Sequence, residues 1–177
     1  MEAGREEAAN ERRNTMTTKL FATRRALMIG AIQATATLML PRRSWAETLP
    51  KMTVTRDPNC GCCGGWVTHV KAAGFPVEVI EAADLAPLKA RLGVPDALIS
   101  CHTAEIDSYV VEGHVPANAI KRLFVERPRA TGLAVAGMPI GSPGMEVSGT
   151  LPETYEVVLF GQGQQRVFAR YRGSQAL

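Results

Sequence analysis

The residues most able to do chemistry in this chain are the cysteines of the segment Cys60-Gly61-Cys62-Cys63. They account for three of the four cysteines in the sequence, and two glycines follow them directly. Thiols this close together bind soft metal ions, form disulfides or exchange disulfides with other proteins, depending on the redox conditions around them. The segment therefore predicts a metal site or a redox site.

The type of donor favours Cu(I) among the metals. Cu(I) is a soft ion that prefers thiolate and thioether ligands, and no cluster of carboxylates accompanies the cysteines. Cys60, Cys62 and Cys63 cannot easily share one tetrahedral ion, whereas thiolates that bridge several ions fit this spacing. We expect Cys101 to supply the fourth thiolate, and several Cu(I) ions would offset the charge of four buried thiolates. Cys101 could instead be a buried apolar filler or belong to one structural disulfide.

Four further residues are candidate ligands. Met138 and Met145 flank a Gly- and Pro-rich loop that could lay thioethers over the site, although methionines most often fill a core. His102 follows Cys101 directly, and neighbouring side chains in a strand point to opposite faces, so both can ligate only if the strand ends or bulges there. His114 lies at a predicted strand-to-helix junction, where it could instead be a hydrogen-bonding turn residue.

A thiol-disulfide oxidoreductase is the main rival to a copper protein. Cys60 and Cys63 form a C-x-x-C pair at the junction of a first strand and a first helix, the position of a thioredoxin redox motif. Cys62 is awkward for such an enzyme, because it could capture a mixed disulfide or scramble the pairing. A structural zinc site, a disulfide scaffold and a module that delivers copper to a periplasmic acceptor are also compatible with these cysteines. Free N-H groups at the start of the helix would lower the pKa of nearby thiols.

Three further conspicuous side chains are interpreted as structural. Trp66 is expected to pack beneath the first helix and Met52 to fill the core. His69, one turn beyond the cysteines, is expected to be a solvated residue on the helix face. No Ser/His/Asp triad, phosphate-binding glycine loop or pair of catalytic carboxylates stands out, so we expect neither a hydrolase nor a nucleotide-binding protein.

The elements that must position these residues follow the order βαβαββα. Strands are predicted at 52–56, 77–80, 97–102 and 109–113, and helices at 65–73, 84–92 and 116–126. A Gly-, Pro- and Met-rich loop at 137–145 then leads to a β-hairpin of strands 155–160 and 166–171, which turns at 161–163. This order, with a cysteine pair at the first strand-helix junction, predicts an α/β, thioredoxin-like domain with a C-terminal loop and β-hairpin extension.

The first 46 residues predict export. Arg24-Arg25 precedes an uncharged apolar run, 26–40, which at about 15 residues is short for a membrane span of roughly 20. Ser44-Trp45-Ala46 is a small-x-small cleavage site, so the mature domain is expected to comprise residues 47–177, in the periplasm and without a stable membrane span. The twin arginine resembles a Tat signal. Sec export or a retained membrane anchor would also fit this segment, and Met16 would also fit as the first residue.

Charge divides the chain at the same point. Residues 1–46 hold 8 of the 20 Lys and Arg residues and 4 of the 17 Asp and Glu residues, which leaves 12 basic and 13 acidic residues in 47–177. The formal charge therefore changes from +3 for the whole chain to −1 for this part. A near-neutral domain has no basic surface for nucleic acid, and its length allows a core that needs no disulfide.

Four short motifs occur in order along the predicted domain. They are Asn59-Cys-Gly-Cys-Cys-Gly-Gly-Trp66, Ser100-Cys-His-Thr103, Val111-Glu-Gly-His-Val-Pro-Ala117 and Gly137-Met-Pro-Ile-Gly-Ser-Pro-Gly-Met-Glu146. Together they resemble the CopG-like copper-resistance family, and the resemblance covers roughly residues 52–173. It implies a thioredoxin-like periplasmic domain that binds copper through cysteines and helps cells to tolerate the metal, with redox chemistry as a further role.

Overall fold

The computed structural model describes residues 49–177, which form one mixed sheet with three α-helices. The predicted export signal, its cleavage near Ala46 and the domain start at Glu47 lie outside the described residues. Within 49–177, no helix is long and apolar enough to cross a membrane. The elements are β1 (Met52–Arg56), α1 (Gly61–Ala72), β2 (Val77–Glu81), α2 (Ala86–Arg91), a 3₁₀ turn (Asp96–Leu98), β3 (His102–Ile106), β4 (Tyr109–Glu112), α3 (Ala117–Glu126), β5 (Gly132–Ala134), β6 (Thr154–Gly161), β7 (Gln164–Arg172) and β8 (Gln175–Ala176).

The strands lie in the order β2-β1-β3-β4-β5-β6-β7-β8. β1 pairs with β2 and β4 pairs with β5 in parallel, and the remaining neighbours are antiparallel. Because Arg56 pairs with His102, the end of β1 lies beside the start of β3. The cysteine segment follows β1 and Cys101 precedes β3, so the sheet collects both at this point.

The order of the first seven elements matches the prediction, whereas several bounds differ. The first helix begins at Gly61 and not at 65, so Cys62 and Cys63 lie in its first turn. The strand predicted at 97–102 is wrong, because a 3₁₀ turn follows Pro95 and the strand begins only at His102. The hairpin of β6 and β7 is confirmed, with Gly161 opposite Gln164. The prediction contains neither β5 nor β8.

Buried side chains cover both faces of the sheet. Trp66 and Met52 are fully buried, as predicted, and Nε1 of Trp66 donates to the carbonyl oxygen of Val115 at 2.9 Å. Neighbouring residues within a strand belong to different clusters, as the alternation of side chains requires. The larger cluster, which includes side chains of α1 and α3, holds Val111, Leu133 and Leu159, and the smaller one holds Val110, Ala134 and Phe160 together with Val94 and Leu98.

The C-terminal hairpin belongs to the same sheet and the same core as the first seven elements. β6 pairs with β5, and β7 packs back against α3. The hydroxyl of Tyr171 donates to Oδ1 of Asn118 at 2.9 Å, and the guanidinium of Arg122 lies 4.3 Å from the centre of the Phe168 ring. The extension therefore shares hydrogen bonds and buried contacts with the part of the chain that carries the cysteines.

Candidate metal centre

Hydrogen bonds hold the cysteine segment at the end of β1. The backbone N of Cys60 donates to the carbonyl oxygen of Asp57 at 3.1 Å, and that of Asn59 donates to Oδ1 of Asp57 at 2.7 Å. Nη1 of Arg56 donates to the carbonyl oxygen of Cys60 at 3.1 Å, and Nη2 pairs with Glu81 at 2.8 Å. Cys60 is the N-cap residue of α1, so the cysteines that follow lie among the free N-H groups of the first turn.

The structure brings all four cysteine sulfurs together. Cys60 and Cys63 form a disulfide, whereas Cys62 and Cys101 are free. Sγ of Cys62 lies 3.4 Å from Sγ of Cys60 and 3.9 Å from Sγ of Cys101. The four sulfurs lie within 4.8 Å of one another, close enough to hold metal ions. Cys101 therefore joins the trio as the sequence predicts, and the disulfide uses the pair that the rival C-x-x-C interpretation selects.

Two buried histidines lie beside Cys101. His102 and His114 are both 0% exposed, and their ring centres are 5.1 Å apart. Nδ1 of His114 donates to the carbonyl oxygen of Pro143 at 2.8 Å, so Nε2 of the neutral ring is an acceptor, 3.1 Å from Sγ of Cys101. Nδ1 of His102 lies 3.4 Å from the same sulfur. Because β3 begins at His102, Cys101 and His102 reach one site, and with His114 they form a second group that could hold a metal.

One nitrogen of His102 is unsatisfied. Among the side chains of residues 49–177, its Nε2 is the one buried nitrogen or oxygen atom without a hydrogen-bond partner. The ring packs on Trp66 with the two ring centres 4.4 Å apart. A buried polar atom without a partner is uncommon and costs about 1–3 kcal/mol.

Burial sets the protonation state of this group of side chains. Burial, and then the neighbouring Cys62, raises the pKa of Cys101 to about 12, so the thiol is neutral at pH 7. Burial lowers the pKa of His102 to about 3 and also lowers the pKa of His114, so both rings carry no charge. A metal that binds Cys101 must therefore displace the proton of its thiol.

The loop at 137–145 brings one of its two methionines to the sulfurs. Sδ of Met138 lies 3.9 Å from Sγ of Cys62, and the side chain is 51% exposed. The backbone of Met145 bonds to Gly141 and Ser142. Its thioether makes no hydrogen-bond contact with a cysteine in the part of the chain that the structure describes. Met138 is thus the better placed of the two predicted thioether ligands.

A buried ion pair, which the sequence analysis missed, fixes the turn before Cys101. Nζ of Lys89 lies 2.5 Å from Oε1 of Glu112 and donates to Oγ1 of Thr103 at 2.8 Å, and the side chains of the pair are 7% and 0% exposed. Glu112 also accepts from the backbone N of Ser100 at 2.7 Å and from the hydroxyl of Thr103 at 2.6 Å. The sequence signal that could have predicted this pair is Glu112, which follows two valines in β4. A glutamate buried in such a strand needs a charged or hydrogen-bonding partner.

His69 is not the solvated residue that the sequence predicts. It is half-buried, and its Nε2 accepts a hydrogen bond from the backbone N of Ala117, the first residue of α3, at 3.0 Å. Burial lowers the pKa of His69, which favours the neutral ring that this contact requires. His69 therefore connects α1 to the start of α3 and belongs to neither group of metal-capable side chains.

An open cavity of about 540 Å³ adjoins the sulfurs. Its lining includes Cys60, Cys101, Met138 and Lys89. Solutes can therefore approach the sulfur cluster from this side.

Known proteins resemble this chain over nearly their whole length. Two solved structures, described as "Copper resistance protein copG- Form 1" and "Copper resistance protein copG- Form 2", are each 48% identical to it with a TM-score of 0.66. The first comparison covers 71% of this chain and 99% of the solved chain, and the second covers 70% and 98%. The chain belongs to the CopG-like copper-resistance family.

A family profile matches the central part of this CopG-like chain. The profile of a family described as "Protein of unknown function, DUF411" matches residues 98–145, which include Cys101, both buried histidines and both loop methionines. A comparison with curated proteins found no match. Family membership and the sulfur cluster together support a copper-related role.

Proposed function

We propose that this CopG-like protein binds Cu(I) as a small multi-copper thiolate cluster and serves copper resistance in the periplasm. The observation that carries the proposal is the convergence of four cysteine sulfurs within 4.8 Å of one another. Both solved relatives are named as copper resistance proteins, which supports copper as the cargo. The proposed ligands are Cys60, Cys62, Cys63 and Cys101, with His102, His114, Met138 and Met145 as further ligands or as a cover over the copper.

The donor chemistry fits copper better than zinc. Sulfur and neutral imidazole make up both metal-capable groups in residues 49–177, and neither group includes a carboxylate. The thioether of Met138 extends the sulfur set, and thioethers favour Cu(I) over harder ions. A structural zinc site would instead hold a single ion in a closed set of four ligands. The adjacent thiols of Cys62 and Cys63 suit bridging between several ions.

Full loading requires the dithiol form of the protein. Cys60 and Cys63 are joined in the structure, and the thiolate is the form of cysteine that binds metals. A thiol donor that reduces the disulfide supplies two electrons and two protons and is itself oxidised to a disulfide. Several Cu(I) ions would then displace the thiol protons and offset the charge of four thiolates.

We also propose a thioredoxin-like fold and export to the periplasm. The order β2-β1-β3-β4, with the C-x-x-C pair where β1 meets α1, supports the fold. Arg24-Arg25, the apolar run at 26–40 and the cleavage site at Ala46 support export. A periplasmic copper acceptor or redox partner is part of the proposal, because a bound ion must be delivered or its oxidation state maintained.

An anaerobic titration of the fully reduced protein with Cu(I) tests the copper site. We expect more than one copper per chain by elemental analysis, with all four thiols protected from alkylation, because bridging thiolates hold several ions. Cys62→Ser should lower the number of bound coppers. Retention of no copper would contradict the proposal, and a single tightly held zinc that excludes copper would favour a structural zinc site.

A thiol-disulfide oxidoreductase is a second candidate, and the Cys60–Cys63 disulfide is the observation that favours it. In that case Cys60→Ser or Cys63→Ser should abolish exchange with a small disulfide such as oxidised glutathione, whereas Cys62→Ser should leave exchange unchanged. The copper site depends on Cys62 as well. The Cys62→Ser variant therefore separates the two functions.

A further inference from the structure

The disulfide leaves a second set of sulfur donors intact. Cys60 and Cys63 bind each other, whereas Cys62 and Cys101 remain free thiols. Sδ of Met138 lies 3.9 Å from Sγ of Cys62 and completes a group of three sulfur donors. We propose that the disulfide form of the protein retains a site for one Cu(I) ion, made of Cys62, Cys101 and Met138. This inference rests on the proposed copper function and specifies what the oxidised protein can hold.

Two of the three separations between these sulfurs match a three-coordinate ion. Sγ of Cys62 lies 3.9 Å from Sγ of Cys101 and 3.9 Å from Sδ of Met138. Three sulfurs arranged in a triangle around an ion, each at a metal-sulfur distance of about 2.3 Å, lie about 4.0 Å apart. Cys62 therefore sits at the right separation from both of its partners before any ion has entered. Cu(I) is the soft monovalent ion that suits two thiolates and one thioether.

Charge and access favour a single ion in this state. Two thiolates with one Cu(I) carry a net charge of −1, which costs less to bury than the charge of −2 on the two thiolates alone. Met138 is 51% exposed and lines the open cavity together with Cys101, so the ion can enter from solvent. Cys62 is also partly exposed, whereas Cys63 is fully buried. The three donors are thus within reach of solvent, as is Cys60 of the disulfide, whereas Cys63 is buried.

The protein would accordingly have two copper capacities. In the dithiol form all four thiolates are available, and in the disulfide form two thiolates and one thioether are available. A disulfide of a partner protein could oxidise the thiolates of Cys60 and Cys63 to their disulfide, taking up the two electrons and being itself reduced to two thiols. The copper held by those two thiolates would be released, and one ion would stay at Cys62, Cys101 and Met138. The redox state of one cysteine pair would then decide how much copper the protein carries.

The test is Cu(I) binding by the full chain in its disulfide form. Protein with two alkylatable thiols is isolated, and Cu(I) is added anaerobically as its acetonitrile complex. We expect one copper per chain by elemental analysis and sulfur neighbours at about 2.3 Å by X-ray absorption. Cys62→Ser should abolish this binding, and Met138→Leu should weaken it about tenfold. Val147→Ala, an exposed position in the following segment, is the matched control and should bind as wild type does.

A second preparation tests the same site without relying on the disulfide. The variant Cys60→Ser/Cys63→Ala removes both cysteines of the pair and should still hold one Cu(I). Zero copper in the disulfide form, with several in the reduced protein, would overturn this inference and leave the proposed function intact. One copper that is insensitive to Cys62→Ser would also overturn it. Absence of copper from both the reduced and the disulfide forms would instead contradict the proposed function itself.

Discussion

At the scale of single residues, His102 is buried although the polar ring of a histidine is better solvated in water. The side chain is 0% exposed, and its Nε2 has no hydrogen-bond partner. Burial lowers its pKa to about 3, and the charge of Lys89 and that of His114, when His114 is protonated, act in the same direction. An apolar side chain of similar shape would avoid the cost of the unpaired nitrogen. The other ring nitrogen, Nδ1, lies 3.4 Å from Sγ of Cys101 and so has a polar neighbour that an apolar ring would lose.

The lowered pKa of His102 predicts a pH dependence of stability. The unfolded chain takes up this proton near the ordinary pKa of 6.5, whereas the folded protein takes it up only near 3. Between these values the unfolded state binds more protons, so the free energy of unfolding should fall as pH is lowered from 6.5 toward 3. The contribution of one such residue is at most about 1.4 kcal/mol per pH unit.

Urea unfolding of the copper-free protein at several pH values across this window measures the effect. His102→Phe keeps a ring against Trp66 and removes the titrating group, so it should flatten the dependence. Carboxylates that protonate in the same range are common to both proteins and cancel in the comparison. An equal slope for His102→Phe and wild type would contradict the role assigned to the buried ring.

At the scale of elements, local patterns were predictable and pairings between distant segments were not. The strand Met52–Arg56 was predicted with the observed bounds. The start of α1 was placed too late, because Gly61, Gly64 and Gly65 have low helix propensity that tertiary packing overrides. β5 has only the three residues Gly132–Ala134, and pairing with β4 and β6 defines it rather than any sequence pattern.

The types of ligand in the site could be predicted from the sequence, but its disulfide and the buried ion pair beside it could not. The softness of sulfur and the spacing of Cys60, Cys62 and Cys63 predicted a sulfur site. Cys101 was expected to join it because the expected fold places the strand of Cys101 beside the first strand. A sequence does not distinguish a Cys60–Cys63 disulfide from a metal-bound pair, since both need the same proximity. The contact of Lys89 with Glu112 joins α2 to β4, and no local pattern relates two residues so far apart in the chain.

The methionine loop and the cysteine helix touch backbone to backbone. Gly144 has a positive φ of 86°, and a Cβ there would lie 2.5 Å from the backbone N of Trp66 and 2.6 Å from the carbonyl oxygen of Cys62. A Cβ on Gly65 would lie 2.9 Å from Cα of Gly144. The same loop provides the carbonyl oxygen of Pro143 that orients His114. Two glycines therefore allow the loop to lie directly on the first turn of α1.

Gly144→Ala should destabilise the protein and weaken copper binding, because neither backbone neighbour can move aside cheaply. Gly149→Ala is the matched control, since Gly149 also has a positive φ, 78°, but its Cβ would meet nothing within 4 Å. The backbone strain of an alanine at positive φ costs about 1–2 kcal/mol in each variant, and the clash should add about 1–3 kcal/mol in Gly144→Ala alone.

Urea unfolding and copper counts on both glycine variants measure these effects. Gly144→Ala should lose stability beyond that of Gly149→Ala and bind fewer coppers, because its clash displaces the loop that carries Met138 and holds His114. Equal losses in the two variants would show that the contact between the loop and the helix does not matter.

At the scale of the whole molecule, one continuous sheet links the metal centre to the C-terminal hairpin. The ring of Trp66 packs at a tilt against His102 in the candidate metal centre, and Phe168 lies in β7, yet Trp66 and Phe168 belong to the same buried cluster. β7 is tied to α3 through Tyr171 and Asn118, and α3 begins at the residue that His69 caps. The described residues therefore predict a single cooperative unit, in which damage to the hairpin reaches the metal centre.

Phe168→Ala tests this coupling. Phe168 is 6% exposed, and truncation of a buried phenylalanine costs about 3–5 kcal/mol. In a Trp45→Phe background, Trp66 is the sole tryptophan, so its fluorescence reports on the metal centre while circular dichroism reports on the sheet. Both signals should shift together to lower urea concentration, as a two-state transition requires.

Val167→Ala, at a neighbouring position that is 43% exposed, is the control and should change the midpoint of neither transition by much. An early loss of circular dichroism, with the Trp66 transition unchanged, would show that the hairpin unfolds on its own and that the cysteine part holds its fold without it.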